Sequence, residues 1–338
     1  MIKRDWTPQD INQVYFPVKL CPLRFSKPGS TEWLVARNLR AVVDIERDHV
    51  FAAVSDKYRI IENQDAVNAA NPIVKEIFKR GLSDFECFNI IMPKSRSSCQ
   101  IDLILRDDAQ DRTYNPFNGD PWTVFVRISN SYNRTKRLRF EMGFCRWICL
   151  NGMIFGRRSI DFTFAHDETI LHDQNFLQKA ANEAHLKFGS LLSLRDDFTK
   201  KLRMLRDLKI SKEWAIPLFC KFFKVSLNEV KFKWHLGARN QNQYRLYGRM
   251  AGQVRQSVED YFTEMGYNAY AMLNVLSDYA SHPSGALSQA NVIPTYQRRV
   301  GEWLDEFPTL SQESGFTFDN YIGEDAKQSA VWLMKYAS

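Results

Sequence analysis

The chain has 338 residues, 44% hydrophobic and 13% aromatic, which is typical of folded domains with a sizeable core and excludes a disordered protein. No apolar run is long enough to span a membrane, and charges at Lys3, Arg4 and Asp5 interrupt the start, so we predict no signal peptide, no membrane partner and a cytoplasmic location. Six scattered cysteines, none in a C-x-x-C pair, predict reduced thiols and no structural zinc site.

The formal net charge of +7 is concentrated in one segment. Residues 127–158 carry eight cations and one acid, Glu141, so the rest of the chain has no net charge. The cations are Arg127, Arg134, Lys136, Arg137, Arg139, Arg146, Arg157 and Arg158. This concentration of arginine predicts a polyanionic partner, with nucleic acid first among them. The alternative is an exposed hairpin whose arginines only solvate it.

In chain order, the first half reads as strands with one inserted helix. Residues 41–61 predict two short strands around a polar turn at Glu46–His49. Asn63 then caps a helix over about 64–80, which Gly81 ends. Further strands are predicted at 85–92, 99–105, 122–129 and 137–144, and a loop at 107–121.

The strand at 137–144 alternates between apolar and charged residues. Its two faces carry Leu138, Phe140 and Met142 on one side and Arg137, Arg139 and Glu141 on the other. With the SYNRTK turn before it, this alternation predicts a β-hairpin with a basic outward face.

In the second half of the chain, the spacing of apolar residues changes to the period of an α-helix. Helices are predicted over about 168–210 (one or two), 211–223, 240–265, 267–281 and 324–336. We therefore predict an α+β fold, with an N-terminal antiparallel sheet that includes an inserted helix and a basic hairpin, followed by a mainly helical half. The predicted units are 1–165 and 166–338, either separate or sharing one core.

Two further basic stretches lie in the helical half. Lys200 and Lys201 belong to a basic helix at 195–209, and residues 234–249 interleave Arg239, Arg245 and Arg249 with aromatic residues. Arginines among aromatics are typical of single-strand binders, which combine phosphate contacts with base stacking. Ordinary polar helix faces are the alternative.

Residues 300–326 hold seven acids and no base. This stretch predicts either a shield over the chain's own basic groove or a contact with the basic face of a neighbouring copy. The second interpretation leads us to expect a homo-oligomer.

Chemistry-bearing residues are few. Cys149 and Asn151 lie in the apolar segment GFCRWICLNGM, and we predict that both are structural. Two groupings suggest a metal: the cluster His166–Asp173, and the acids Asp102, Asp107 and Asp108 with Glu86 on the strand before. Helix caps with solvated acids are the favoured explanation of the first. No phosphate-binding, dinucleotide-binding or hydrolase motif occurs, so we predict no enzyme activity and no cofactor.

Three segments together resemble one known family. They are VSDKYRIIEN (54–63), FCRWICLNGM (144–153) and LNVLSDYASH (273–282), with His166 following the second. The resemblance spans about 30–285 and is to a phage- and plasmid-borne family defined by a domain of unknown function and often called phage/plasmid-like protein. It implies a mobile element in a bacterial host and no established activity. The arginine, cysteine and asparagine of that family's motif fall on Arg146, Cys149 and Asn151.

The predicted architecture is also similar to single-strand annealing recombinases of the RecT and ERF kind, which hold single-stranded DNA in oligomers. We therefore expect a nucleic-acid-binding protein, with single-stranded DNA binding or annealing in recombination as the leading hypothesis. The alternatives are a host-interaction protein that inhibits a defence or replication enzyme, and a metal-dependent nuclease that uses Asp102, Asp107 or the His166 region.

Overall fold

The protein is described here by a computed structural model that covers residues 6–106, 108–109, 111–161, 174–236, 241–284 and 289–337. Within these ranges, only the backbone is described for 155–161, 174–177, 180, 289 and 291. The predicted α+β class is confirmed, with antiparallel sheets first and a mostly helical half after them.

Two sheets form the first half. The strands are β1 (Val18–Ser26), β2 (Trp33–Asp44), β3 (His49–Ser55), β4 (Phe85–Ile91), β5 (Ser98–Leu105), β6 (Thr113–Phe117), β7 (Asp120–Ser131), β8 (Arg139–Arg146) and β9 (Asn151–Asp161). The first three make one sheet in the order β1-β2-β3. The others make a six-stranded sheet in the order β4-β5-β7-β8-β9, with β6 paired to β7. Every pairing within both sheets is antiparallel.

The helices follow mainly in the second half. They are α1 (Asn63–Asn68), α2 (Asn71–Phe78), α3 (Gln174–Phe188), α4 (Leu191–Asp207), α5 (Ala215–Phe222), α6 (Leu227–Leu236), α7 (Gln241–Met265), α8 (Ala269–Ser281), α9 (Gln289–Leu310), α10 (Phe318–Ile322) and α11 (Glu324–Met334). The predicted helices at 211–223, 240–265, 267–281 and 324–336 correspond to α5, α7, α8 and α11, and 168–210 contains both α3 and α4.

The inserted helix is two helices, α1 and α2. Pro72 stands at the start of α2, where a missing N–H costs nothing, so the chain begins a new helix there. The predicted cap at Asn63 is wrong because its amide donates to the Val14 carbonyl oxygen (2.9 Å) and its side-chain oxygen accepts from Asn130 (3.0 Å). Lys79, in the left-handed conformation, ends α2 in place of Gly81.

The region predicted as a loop at 107–121 contains β6 and the start of β7. Phe117 pairs with Asp120 across the two-residue turn Asn118–Gly119, and Gly119 takes a positive φ of 76°. Asn-Gly is the strongest short hairpin signal, because both turn positions tolerate that conformation. A hairpin therefore stands where composition alone indicates a loop.

The Asn151–Gly152 pair does not end the apolar run; it begins β9. Residues 147–150 make the turn between β8 and β9, and Leu150 carries the positive φ of 57°. Gly152 pairs with Cys145 on β8. The basic segment is therefore three strands of the large sheet and not a single projecting hairpin.

The two halves share one hydrophobic core. One face of the large sheet packs against α4, where the ring of Phe198 stacks on Phe144 with centroids 3.8 Å apart and meets Trp122 edge-on at 5.0 Å. Buried residues from β4 to β9 and from α3 to α11 belong to the same cluster. The predicted boundary at 165–166 lies outside the described residues.

Gly143 marks a close approach within the large sheet. A Cβ atom there would lie 2.3 Å from Phe125 Cζ and 2.5 Å from the Met153 carbonyl oxygen. We expect Gly143→Ala to destabilise the fold by about 1–3 kcal/mol, because a backbone atom cannot move aside cheaply. Gly252→Ala in α7, where a Cβ meets nothing within 4 Å, is the control and should be neutral or stabilising. Urea unfolding of both variants measures this, and equal effects would contradict it.

Candidate functional site

The second face of the large sheet is polar at its centre. Alternate residues of adjacent strands point to it: Gln100 and Asp102 on β5, Arg127 and Ser129 on β7, and Arg139 and Glu141 on β8. The helix α9 lies over this face, since it contacts β9 and its Arg298 binds Glu141. The face that alternation predicts as outward is thus largely covered.

Arg127 lies at the centre of this face and is fully buried. Its Nε and Nη2 donate to the two carboxylate oxygens of Asp102, both at 2.6 Å. Burial alone would lower the pKa of Arg127, but Asp102 and then Glu141 raise it, so the guanidinium stays charged. The predicted contact of Arg127 with nucleic acid is not favoured by this setting, because the guanidinium is buried and paired with Asp102.

Arg146 is also buried and paired. Its Nε donates to Asp120 Oδ1 (2.5 Å) and its Nη2 to Glu264 Oε1 on α7 (3.2 Å). Although burial opposes the charged form, Cys149 and Asp120 raise the pKa of Arg146. This arginine joins the sheet to the helical half, so its predicted contact with nucleic acid is not favoured by its setting either.

Four cations remain together at one end of the polar face. Lys136, Arg137 and Arg139 from the β7–β8 turn and the start of β8 meet Arg298 of α9 around a cavity of about 360 Å³. The cavity, here called the basic pocket, is also lined by Gln100, Ser129, Thr135, Pro294 and Thr295. Hydroxyls and cations in one recess are the groups that bind phosphate.

The charges around the basic pocket do not cancel. Arg298 donates twice to Glu141 Oε1, at 3.0 and 2.6 Å, and Arg139 lies 3.9 Å from the same oxygen. Burial, together with the nearby charges of Arg127 and Arg298, lowers the pKa of Lys136. One acid therefore faces several cations, and an incoming anion would relieve their repulsion.

Sequence reasoning missed Arg298, because the acids of 300–326 dominate that stretch and α9 was not predicted. The signal was the Arg298–Arg299 pair directly before the acidic stretch. Buried residues of the acidic stretch, Trp303, Leu304, Phe307 and Ile322 among them, make it part of the core. We therefore expect its removal to unfold the helical half.

The remaining predicted cations of the basic segment are Arg134, Arg157 and Arg158. Arg134 is exposed at the tip of the β7–β8 turn, with a φ of 61°. Arg157 and Arg158 belong to β9, but their side chains lie outside the described part of the structure.

Among the described residues, the cations predicted in the helical half do not join the basic pocket. Lys200 is exposed on α4, whereas Lys201 pairs with Asp197 (2.8 Å) and Asp305 (2.7 Å). Arg245 and Arg249 are exposed on α7 and line a different, open cavity of about 700 Å³. Arg239 lies outside the described residues.

A cavity of about 570 Å³, larger than the basic pocket and here called the aromatic pocket, opens on the same face of the large sheet as the basic pocket. Trp6, Phe88 and Phe125 contribute its aromatic lining, and the centroids of Trp6 and Phe88 are 5.6 Å apart. Polar side chains also reach it, namely Asn89, Asp102, Ser281, His282 and Gln297. Leu150, Gly152, Ser281 and His282 come from two of the segments that carry the family resemblance.

Those two segments bind each other. The Gly152 N–H donates to Ser281 Oγ (2.9 Å). In the amide orientation that satisfies both its ends, Asn151 accepts from the Tyr261 hydroxyl (2.8 Å) and donates to Asp278 (3.3 Å). Asn151 is fully buried, so these contacts fix β9 to α7 and α8.

Cys149 is buried beside this contact, and burial raises the pKa of its thiol despite the opposing charge of Arg146. A thiol held protonated is a poor nucleophile. We expect Cys149→Ala to cost about 1–2 kcal/mol of stability and to spare ligand binding. Cys21→Ala, at a half-buried position, is the control. Loss of binding in a variant of normal thermal stability would show instead that the thiol acts directly.

Of the acids proposed as metal ligands, Asp102 is not available. Both carboxylate oxygens of Asp102 accept from Arg127, so a metal would have to displace a buried ion pair. Asp107 and the cluster His166–Asp173 lie outside the described residues. Within the described ranges, no three His, Cys, Asp or Glu side chains come close enough together to hold a metal.

No helix among the described residues is both long and apolar enough to cross a membrane. Comparison with curated proteins and with solved structures finds no match for this chain. Residues 50–300 match the family described as a domain of unknown function (DUF932), and this range includes both pockets' sheet strands and most of α9. Because the match covers most of its length, the chain belongs to the DUF932 family.

Proposed function

We propose that the protein binds single-stranded nucleic acid, with a backbone phosphate in the basic pocket. The observation that carries this proposal is the convergence of Lys136, Arg137, Arg139 and Arg298 around one recess. Ser129 and Thr135 add hydroxyl groups beside them. Phosphate contacts from such groups supply most of the affinity of non-specific binding.

A single strand fits this site better than a duplex. The cations lie in a recess between the β7–β8 turn and α9, and a flexible strand can direct one phosphate into it. The aromatic pocket opens on the same face, and single-strand binders combine cationic grooves with aromatic surfaces. A duplex would keep its bases stacked away from that pocket.

The resemblance to phage- and plasmid-borne proteins supports a setting in the cytoplasm of a bacterial host, in recombination or a related process. The architectural likeness to annealing recombinases extends this proposal to the annealing of strands by a homo-oligomer. Exposed acids of the 300–326 stretch, such as Glu313 and Asp325, are available to a neighbouring copy. A truncation cannot test this, because the stretch belongs to the core.

The experiment is fluorescence anisotropy of a labelled short oligodeoxycytidine, titrated with the full chain between about 50 and 200 mM salt. We expect binding at the lower salt concentration that weakens at the higher one, by about 2.6-fold for each phosphate neutralised. A duplex of the same length should bind less tightly. Folded protein that leaves the oligonucleotide unbound at low salt overturns the proposal.

A second candidate function, protein docking, rests on a different observation. The small sheet exposes large apolar side chains, led by Trp33 at 65%, Val50 at 54% and Val35 at 50%. Exposed apolar surface of this kind is typical of interaction sites. This surface favours the host-interaction hypothesis over the nuclease hypothesis. Protein docking is then the function that remains if the oligonucleotide experiment is negative.

A further inference from the structure

The aromatic and basic pockets are neighbours on one sheet face. Asp102 lines the first and Gln100 the second, two residues apart on β5 and so about 7 Å along the strand. On α9, Gln297 faces the aromatic pocket and the next residue, Arg298, faces the basic pocket. A ligand with its phosphate in the basic pocket therefore has its adjoining group at the aromatic pocket.

The aromatic pocket has the lining of a site for a flat, polar-edged group. Trp6, Phe88 and Phe125 supply rings, and Leu150 and Ile293 add apolar surface. Its volume of about 570 Å³ lies within the range of about 300–1,000 Å³ usual for small-molecule sites.

One residue that lines this pocket, Gln297, has an unsatisfied hydrogen-bond acceptor. Gln297 is only 4% exposed, and its Nε2 donates to Ser281 Oγ (3.1 Å), which fixes the amide. Its Oε1 has no hydrogen-bond partner among the described residues. A buried amide oxygen without a partner is costly, so this atom is suited to accept from a ligand N–H.

The charge of the aromatic pocket differs from that of its neighbour. The described residues that line it include no lysine or arginine, and its one carboxylate, Asp102, is neutralised by Arg127. Such a site suits an uncharged group, whereas the basic pocket suits a phosphate. The two requirements together are met by one nucleotide unit of a strand.

We propose that the aromatic pocket receives one unstacked nucleobase of the bound strand, which donates to Gln297 Oε1. This inference rests on the proposed function, since it places the base of a strand whose phosphate occupies the basic pocket. Stacking on the ring lining and the hydrogen bond to the amide then make binding depend on the bases as well as on the backbone.

The test compares two strands of equal length and charge, an oligodeoxycytidine and a wholly abasic deoxyribose phosphate strand. We expect the wild-type protein to bind the base-bearing strand about five- to a hundredfold more tightly, as stacking of one base commonly gives. Equal affinity for the two strands overturns the base site and leaves the proposed function standing. Failure to bind either strand overturns the proposed function itself.

Two variants test whether the preference for the base-bearing strand arises in the aromatic pocket. Ala290→Phe fills the aromatic pocket, and Gln297→Met removes the amide at nearly constant volume. Each should abolish most of the preference for the base-bearing strand while leaving affinity for the abasic strand unchanged. Thr309→Phe, at an exposed position near the other end of α9, is the control. If the preference persists in both folded variants, the base binds elsewhere and the inference is overturned.

Discussion

Arg127→Met is expected to destabilise the protein by about 3–5 kcal/mol, since it leaves the carboxylate of Asp102 buried without its partner. Asp102 is 2% exposed and keeps only a long hydrogen bond from Asn89 Nδ2 (3.4 Å), so little replaces the two that are lost. Arg298 and Arg139 still face Glu141, which limits the damage to one side of the sheet face. Urea unfolding monitored by circular dichroism measures the change.

The double variant Asp102→Leu/Arg127→Met separates pairing from packing. Because it removes both charges together, we expect it to recover most of the lost stability. Arg137→Met is the matched control at an exposed position, where the same substitution should change stability by no more than about 0.5 kcal/mol. An Arg127→Met protein as stable as this control would contradict the buried pair.

Removing two cations of the basic pocket is expected to weaken oligonucleotide binding about a hundredfold at low salt. The variant is Lys136→Gln/Arg137→Gln, and each charge-assisted hydrogen bond to a phosphate contributes about 1.5–3 kcal/mol. Neither side chain makes an ion pair described in the structure, so the fold should be retained. The effect should be the same for strands of different sequence, since phosphates carry no sequence information.

The matched control is Lys75→Gln/Arg80→Gln, which removes the same charge from exposed positions of α2 and the residues after it. Helix α2 packs on the opposite face of the large sheet, through Ile73 and Val74 in the main core. If binding depended only on net charge, both double variants would weaken it equally. Equal losses would therefore contradict a localised phosphate site.

The charge distribution and the spacing of apolar residues predicted the main strands and helices. They did not predict which arginines face a ligand. The alternation along 137–144 correctly placed Arg139 and Glu141 on one face, and the period of the back half predicted α7 and α8. Whether that face meets water depends on what packs on it. The covering helix α9 carries two prolines and a long acidic stretch, so its pattern did not indicate a helix.

Arg127 and Arg146 show why charge in the sequence overstates the charge that a ligand meets. Each is neutralised by an acid distant in sequence, Asp102 for the first and Asp120 and Glu264 for the second. Such pairs form only once strands and helices are brought together. Arg298 shows the opposite effect. Tertiary packing brings it to Glu141, which lies 157 residues earlier in the sequence, and so to the basic pocket.

The salt dependence of oligonucleotide binding tests the central claim most directly. The slope of log affinity against log salt counts phosphates neutralised, at about 0.7 per contact for single strands. We expect Lys136→Gln/Arg137→Gln to lower the magnitude of the slope by about 0.7 relative to the wild-type protein, because both cations face the one phosphate of the basic pocket, while Lys75→Gln/Arg80→Gln leaves it unchanged. A pocket variant that keeps the wild-type slope and affinity would contradict the assignment of the basic pocket as the phosphate site.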